Sequence, residues 1–167
     1  MIIHWRTTLE SLTWTWHFVT RHLVLVLGLG LIAAGSRVIA QLWPETAPGA
    51  LLEVVVWLSR LLLIVGAVRI GILADPGFRL NEINNRIDHF VHDRWPSLVI
   101  DGALLLVAFV VFSVPEWAAS GLSGAQEDRY WALLLAIKNL TVIPLTFLWI
   151  VSIARQAVLY EKPVHQS

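Results

Sequence analysis

Three basic residues stand inside long apolar stretches of this sequence, where a charge is costly. They are Arg37, Arg60 and Lys138. A charged side chain at the centre of a membrane helix costs on the order of 2.5–3.5 kcal/mol, so it needs a partner, water or a route to the surface. Three such cations with few acids nearby are suited to line a cavity for an anion or for the headgroup of an anionic lipid.

The same residues also permit a structural interpretation. In it, Glu53 pairs with Arg60 or with Arg37. Lys138 then extends to the membrane surface or meets an acid of another subunit. Asn139, next to Lys138, adds a polar group to a neighbouring seam between helices. One chain has too few acids at this depth to neutralise all three cations, which makes a partner subunit or a bound anion more attractive.

Two histidines suggest a metal site only weakly. His89 and His92 stand three residues apart beside Asp88 and Asp93, and one helical turn brings such residues together. No nearby motif fixes a third or fourth ligand, so a polar face in contact with water and headgroups is the favoured interpretation. We expect no metal and no cofactor.

Enzymatic chemistry lacks its usual residue patterns. No nucleophile stands beside a positioned base, and no glycine-rich phosphate loop is present. We set Asp101 and Arg69 aside because both lie near a membrane boundary that long side chains can reach. The zero net charge gives no sign of nucleic-acid binding, and the absence of cysteine excludes disulfides and thiolate metal sites. We therefore expect a non-catalytic protein.

Four apolar stretches must position the three cations. Each is long enough for a helix to cross a hydrocarbon core of about 30 Å, which needs about 20 residues. Only 14% of the residues are charged, whereas soluble domains carry about 25%, so nearly all the folded mass belongs in lipid. We predict an all-α membrane protein with residues 1–167 as a single domain. The predicted spans are about 23–43, 51–74, 98–118 and 131–154.

Residues 1–20 precede the first span and carry a different pattern. Apolar residues recur there at steps of three and four, with polar residues mainly between them. This pattern is typical of an interfacial helix that lies on the membrane. The alternative is a ragged start to one long first helix, and the sequence does not separate the two.

The segment 77–95 predicts a second amphipathic helix on the same membrane face. A proline-glycine turn after Asp75 ends the second span, because proline removes a helical donor and glycine permits a sharp turn. Pro96 opens the third span. An apolar stripe along the segment can pack on lipid or on a partner protein. The stripe consists of Leu80, Ile83, Ile87, Phe90 and Val91.

The distribution of Lys and Arg predicts the orientation. Basic residues stay cytoplasmic during insertion, and the outer side has only Arg129 among several acids. Both termini should then face the cytoplasm, whereas the loops 44–49 and 116–130 should face outward. We expect a bacterial inner membrane because the sequence has no organellar address. The bases on the cytoplasmic side are Arg6, Arg21, Arg69, Arg79, Arg86, Arg94, Arg155 and Lys162.

These features favour an accessory or scaffold subunit of a larger inner-membrane complex, of the transporter or respiratory type. The small parts outside lipid, the two lateral helices and the unpaired cations support this hypothesis. The expected partners are the lipid bilayer and other membrane subunits or further copies of this chain. The alternative is a self-assembling channel or carrier, with Arg37, Arg60 and Lys138 along an anion path. A third hypothesis is a lipid-binding or lipid-modifying protein that holds an anionic lipid.

In architecture the chain resembles the small membrane subunits of tripartite periplasmic transporters. Those subunits have similar length, four spans, inward termini and a surface helix in the middle loop. Arg37 near the end of the first span is similar to their pattern, as is Glu53 ahead of Val65-Gly66-Ala67. The paired acidic residues that usually open their second span are absent here. The resemblance therefore covers topology rather than specific residues, and it implies a transport complex as one setting for the chain.

Overall fold

The computed structural model describes residues 2–161, with side chains for residues 5–117, 119 and 121–161. Lys162, one of the bases that predict the orientation, lies outside the described residues. Within residues 2–161 every regular element is helical, which confirms the all-α class. Four helical segments are long and apolar enough to cross a membrane, as predicted. They are Leu23–Leu42, Gly49–Leu73, Leu80–Trp117 and Ala125–Val158.

The helices and helical turns have the following bounds. Helix α1 is Ile2–Arg21 and α2 is Leu23–Leu42. Helix α3 is Gly49–Val68 and continues as the π-helical turn Arg69–Leu73. The 3₁₀ turn Leu80–Glu82 leads into α4, Ile83–Ala118, and the 3₁₀ turn Ala119–Gly121 follows it. Helix α5 is Ala125–Ile137, and the π-helical turn Lys138–Val142 joins it to α6, Ile143–Val158.

Prolines and glycines set several of these boundaries. Helix α2 ends before Trp43, because the residue preceding Pro44 disfavours helical geometry. After α3, Oδ1 of Asp75 accepts a hydrogen bond of 2.9 Å from the backbone N–H of Gly77, which closes the turn at Asp75–Gly77. Gly124 precedes α5 with a φ of 60°, a conformation that is accessible to glycine at little cost.

The helices pack so that the interior is filled mainly at one end. Helix α2 packs along α3 and α5, and α6 packs against α1, α3 and α4. We call the end with segments 43–48 and 119–124 the connection end, and the end with segment 74–79 the terminal end. The buried apolar cluster lies toward the terminal end. It consists of Phe18, Val26, Leu63, Ala67, Ile72, Leu148 and Val151.

Helix α1 is a separate element rather than the start of a longer first helix. His22 has φ −121° and ψ 37°, which breaks the helical path between α1 and α2. The polar side of α1 faces the protein, since Thr8 and Ser11 are fully buried against the rest of the chain. Its apolar side is exposed, with Trp5 and Trp16 about half or more accessible. The expected amphipathic pattern is therefore present, and its polar stripe is the one that packs.

Helix α4 joins two elements that the sequence separates. The predicted 77–95 helix and the predicted third span form one helix of 36 residues with Pro96 inside it. The structure also splits the predicted docking stripe. Leu80, Ile87 and Val91 are exposed and Ile83 is half-buried, whereas Phe90 is buried with its ring edge-on to Tyr160 at 5.6 Å. A helix with one face against the bundle cannot leave the whole stripe free.

Candidate functional site

A cavity of about 610 Å³ lies between the second half of α4 and the helices α2, α3 and α5–α6. Four of the five polar residues predicted to cluster line it: Arg37, Arg60, Lys138 and Asn139. The fifth, Glu53, pairs with Arg37 beside the cavity. Helices α2 and α3 and the turn before α6 thus bring together residues that are far apart in the sequence.

Arg37 and Glu53 form a bidentate pair across the α2–α3 hairpin. Arg37 Nη2 donates to Glu53 Oε2 at 3.0 Å, and Nη1 donates to Oε1. The pair lies near the connection end, where Gln41 also donates to Asp128 at 3.4 Å. The sequence allowed Glu53 to pair with either Arg60 or Arg37, and in the structure it pairs with Arg37. The charge of Arg37 is therefore largely compensated within the chain.

Lys138 finds its acid in the last turns of α4. Its ammonium donates to Oε1 of Glu116, and its side chain is only 15% exposed. Glu116 stands where the predicted third span 98–118 and the predicted loop 116–130 overlap; in the structure it belongs to α4 and lines the cavity. The partner of Lys138 thus comes from the same chain rather than from another subunit. This ion pair also ties α4 to the turn between α5 and α6.

Arg60 differs from the other two cations because its partner is neutral. Its Nη2 donates to Oδ1 of Asn139 at 2.9 Å, and its guanidinium lies 5.3 Å from the ring centroid of Trp57. Its Nε is buried without a hydrogen-bond partner. No acid of the described residues lies within 4 Å of Arg60. Within the part of the chain that the structure describes, Arg60 therefore has no direct ion-pair partner, and Glu53, which binds Arg37, attracts it only from a greater distance.

The π-helical turn Lys138–Val142 places Asn139 for this contact. Pro144 lacks a backbone N–H and its ring would clash with the carbonyl of Leu140 in a regular α-helix. A π-helical turn relieves that conflict, and such turns occur frequently at functional sites. Asn139 is 3% exposed, and its Nδ2 donates to the carbonyl of Leu135 at 2.8 Å. Its Oδ1 is therefore oriented toward Arg60.

Apart from Glu116, Ser113 and Thr146, the rest of the cavity wall is apolar and aromatic. Phe109 and Phe112 of α4 face Phe147 of α6 around the polar groups. The cavity thus combines a cationic patch with a hydrocarbon surface. Such a surface binds a molecule with an anionic group and an apolar body, because the charge meets guanidinium and ammonium donors while the body excludes water. The hydroxyls of Ser113 and Thr146 in the wall donate to the backbone carbonyls of Phe109 and Val142.

The histidine pair of α4 gains no further ligand from the fold. His89 and His92 are both exposed. Within the described part of the chain, no group of three or more His, Cys, Asp or Glu side chains is arranged to hold a metal ion.

The sequence analysis did not identify Asp101 as a site residue. It lies on α4 and faces Thr8 of α1 and Trp149 of α6, with only 2% of its surface exposed. We set it aside as a boundary residue, yet an aspartate side chain is too short to reach the surface as lysine and arginine do. The available signal was the rule that ionisable residues inside apolar helices face the interior and have a role.

Comparison with known proteins gives no counterpart for the chain. No model of a protein family, no curated protein and no solved structure matches it. The resemblance to the small subunits of tripartite periplasmic transporters therefore stays one of architecture, and the function must be argued from the site itself.

Proposed function

We propose that the protein is a four-span membrane protein that binds an anionic amphiphile in the cavity between α4 and the other helices. The observation that supports the proposal is the hydrogen bonding of Arg60. Its guanidinium donates to the neutral amide of Asn139 rather than to a carboxylate, and its Nε is buried without a hydrogen-bond partner. Arg37 and Lys138 flank it, each with a carboxylate already bound. An anion entering the cavity would bind Arg60, and the Arg37–Glu53 and Lys138–Glu116 ion pairs would stay intact beside it.

The shape of the site narrows the ligand class. The aromatic side chains Phe109, Phe112 and Phe147 provide a wall for an acyl chain or another apolar body. Phe109 is 72% exposed in the isolated chain, so the wall continues outward along α4. The anionic group can belong to a membrane lipid or to a free organic acid, which have the same chemistry at this end.

Native mass spectrometry of the purified chain with added lipid tests this proposal. We expect phosphatidylglycerol to be retained about tenfold more than phosphatidylcholine, since a charge-assisted contact is worth about 1.5 kcal/mol or more. Arg60→Gln should abolish that preference. Arg79→Gln is the matched control, because Arg79 is an exposed cation at the other end. If octanoate displaces phosphatidylglycerol, the natural ligand is a free organic acid; if it does not, the ligand is a membrane lipid. Equal retention of both lipids by the wild-type protein contradicts the proposal.

A second proposal is the accessory subunit of a larger inner-membrane complex, and the surface of α4 supports it. The second half of α4 exposes Leu106, Val107 and Phe109 beside the cavity, each by more than half of its accessible area. A transmembrane helix of a partner would cover this surface and the cavity opening. Mass measurement of the protein gently extracted from its own membrane distinguishes the outcomes. Other polypeptides in fixed ratio support the subunit proposal, whereas integer multiples of 18.7 kDa support self-assembly as a channel or carrier.

The proposed location is a bacterial inner membrane with both termini in the cytoplasm. The positive charge of the terminal end supports it, since Arg21, Arg79 and Arg94 all lie there. The chain has no cysteine, so single cysteines can report exposure without a background. With a membrane-impermeant maleimide on spheroplasts, Glu45→Cys should react and Arg79→Cys should not. The reverse result would invert the orientation.

A further inference from the structure

A second polar site lies near the terminal end, between α1, α4 and α6. Five buried side-chain atoms with no hydrogen-bond partner belong to these three helices, and the only other such atom in the described residues is Nε of Arg60. Buried polar groups are nearly always paired in proteins, so such a concentration needs an explanation. The five atoms are Thr8 Oγ1, Asp101 Oδ1, Trp149 Nε1, Ser152 Oγ and Gln156 Oε1.

Helix α1 is fixed with its polar side in this seam. The carbonyl of Thr7 accepts a hydrogen bond from Nε2 of Gln156 at 2.9 Å, and Oγ1 of Thr7 accepts one from Nη1 of Arg94 at 3.4 Å. These two contacts join α1 to both α6 and α4. Thr8, the next residue, is 0% exposed. Its hydroxyl therefore lies inside the seam and away from solvent.

Asp101 of α4 lies at the centre of the seam. The Thr8 hydroxyl and the Trp149 indole are the side-chain neighbours of its carboxylate, although neither forms a hydrogen bond of good geometry. No basic group lies within 4 Å of Asp101 among the side chains that the structure describes. Arg94, the cation bound to Thr7, is two helical turns away along α4. An uncompensated buried carboxylate costs several kcal/mol.

Helix α6 supplies two further oxygen atoms, of Ser152 and Gln156, and the indole N–H of Trp149 to the same seam. Trp149, Ser152 and Gln156 are three and four residues apart, so they share one face of the helix. Trp149 at one end of this row contacts Asp101, and Gln156 at the other end contacts Thr7. Ser152, between them, is 1% exposed. The row therefore faces α1 and α4 over two turns.

We propose that this seam is a binding site for one sodium ion, held by oxygen atoms of Asp101, Thr8, Ser152 and Gln156. Hard cations take carboxylate, hydroxyl and carbonyl oxygens as ligands. One carboxylate with three neutral oxygens balances a single positive charge, whereas a divalent ion usually takes more than one carboxylate. A proton would satisfy one oxygen atom, whereas a sodium ion takes several oxygen ligands at once. The proposal is independent of the anion site.

Thermal unfolding of the full-length purified protein tests the site. The melting temperature is compared in sodium chloride and in choline chloride at equal ionic strength. Because a ligand of the folded state stabilises it by mass action, saturating sodium should raise the melting temperature by about 5 °C. Asp101→Asn and Thr8→Val should each remove this difference. Thr13→Val is the control, since the Thr13 hydroxyl lies on exposed surface of the same helix and bonds the carbonyl of Leu9 at 2.7 Å.

The Thr8→Val variant keeps the proposal testable even where Asp101→Asn does not fold. If the seam binds no ion, the substitution removes an unpaired buried hydroxyl and should stabilise the protein equally in both salts. If the seam binds sodium, the variant should lose stability in sodium relative to the wild-type protein. Equilibrium binding of radioactive sodium should give one ion per chain. Equal melting temperatures of the wild-type protein in the two salts overturn the proposal.

Discussion

Arg60 on α3 and Asn139 in the turn before α6 are joined by a hydrogen bond of 2.9 Å, 79 residues apart in the chain. The bond satisfies one guanidinium donor but supplies no counter-charge to Arg60. It also fixes the π-helical turn against α3, because Asn139 has almost no exposed surface. The same contact therefore supports the fold and defines the cationic wall of the cavity.

Asn139→Leu should lower the free energy of unfolding by about 1–3 kcal/mol. The substitution removes the acceptor of Arg60 and leaves a partly buried charge with fewer partners. Unfolding in detergent micelles, followed by circular dichroism, measures the change. Thr141→Val in the same turn is the control, since its exposed hydroxyl bonds only the carbonyl of Ile137.

A double-mutant cycle separates the pair from its surroundings. Arg60→Met with Asn139→Leu should cost less than the two single changes added together, because the unpaired charge is then also absent. Strict additivity would show that the two residues contribute independently, and it would remove the argument that Asn139 is the necessary partner of Arg60.

The Asp75–Arg155 contact should make stability sensitive to acid. Arg155 Nη2 donates to Asp75 Oδ2 at 2.6 Å, and its Nε donates to the carbonyl of Gly71 at 2.8 Å. The hydrogen bond from the backbone N–H of Gly77 has the largest effect on the pKa of the Asp75 carboxyl and lowers it; burial raises the pKa, and the hydrogen bond and charge of Arg155 lower it, so that it lies below its usual value. Because the folded state binds this proton more weakly, the carboxylate stabilises the fold above its unfolded pKa of about 4 and less as pH falls through the lower folded value.

Unfolding measured from neutral pH down to about pH 3 checks this expectation. Asp75→Asn should be less stable than the wild-type protein at neutral pH, and the gap should close in acid. Asp88→Asn removes an exposed carboxyl of α4 and should leave the acid profile unchanged. A gap that persists at low pH would mean that Asp75 stabilises the turn by its shape rather than by its charge.

Gly71 lets α1 approach the end of α3. A Cβ atom at this position would lie 2.4 Å from Cζ2 of Trp14, whose ring also packs against Phe18 at 5.1 Å between centroids. Gly71→Ala should therefore cost about 1–3 kcal/mol of stability as the ring or the helix shifts. Gly28→Ala is the matched control, because nothing lies within 4 Å of its added Cβ and alanine favours a helix by about 0.5–1 kcal/mol. Equal effects of the two substitutions would contradict a tight contact.

The fold class and the positions of the four long apolar helical segments could be predicted because they depend on local properties of the sequence. Length and apolar content of a stretch determine whether a helix can cross a membrane. That Arg37, Arg60 and Lys138 line one cavity could also be predicted, because each stands inside an apolar stretch rather than at its end. The sequence left Arg37 and Arg60 open as partners of Glu53 and did not identify Glu116 as the partner of Lys138, because the choice between acids depends on how the helices pack. Glu116 lies within the predicted span 98–118, and the packing of α4 brings it to Lys138.

The burial of α1 and the position of Asp101 could not be predicted from one sequence. The amphipathic pattern of α1 is the same whether its apolar side faces lipid or protein, and packing decides which side is buried. Asp101 has no charged neighbour in the sequence to mark it. Its environment comes from Thr8 and Trp149, which are 93 and 48 residues away in the chain.

Exchanging the charges of Glu116 and Lys138 tests whether their ion pair holds α4 over the cavity. Lys138→Glu places two acids together and should cost about 1–2 kcal/mol, because Lys138 is nearly buried while Glu116 is partly exposed. Adding Glu116→Lys should restore most of that loss. Hydrogen exchange of segment 119–124 gives a second readout, with faster exchange in the single variant and recovery in the double variant. Glu45→Lys, a reversal at an exposed acid of the segment between α2 and α3, is the control for the change in net charge alone. If the double variant is no more stable than the single one, α4 is held by its apolar contacts, and the Glu116–Lys138 pair is not the tie between α4 and the turn before α6.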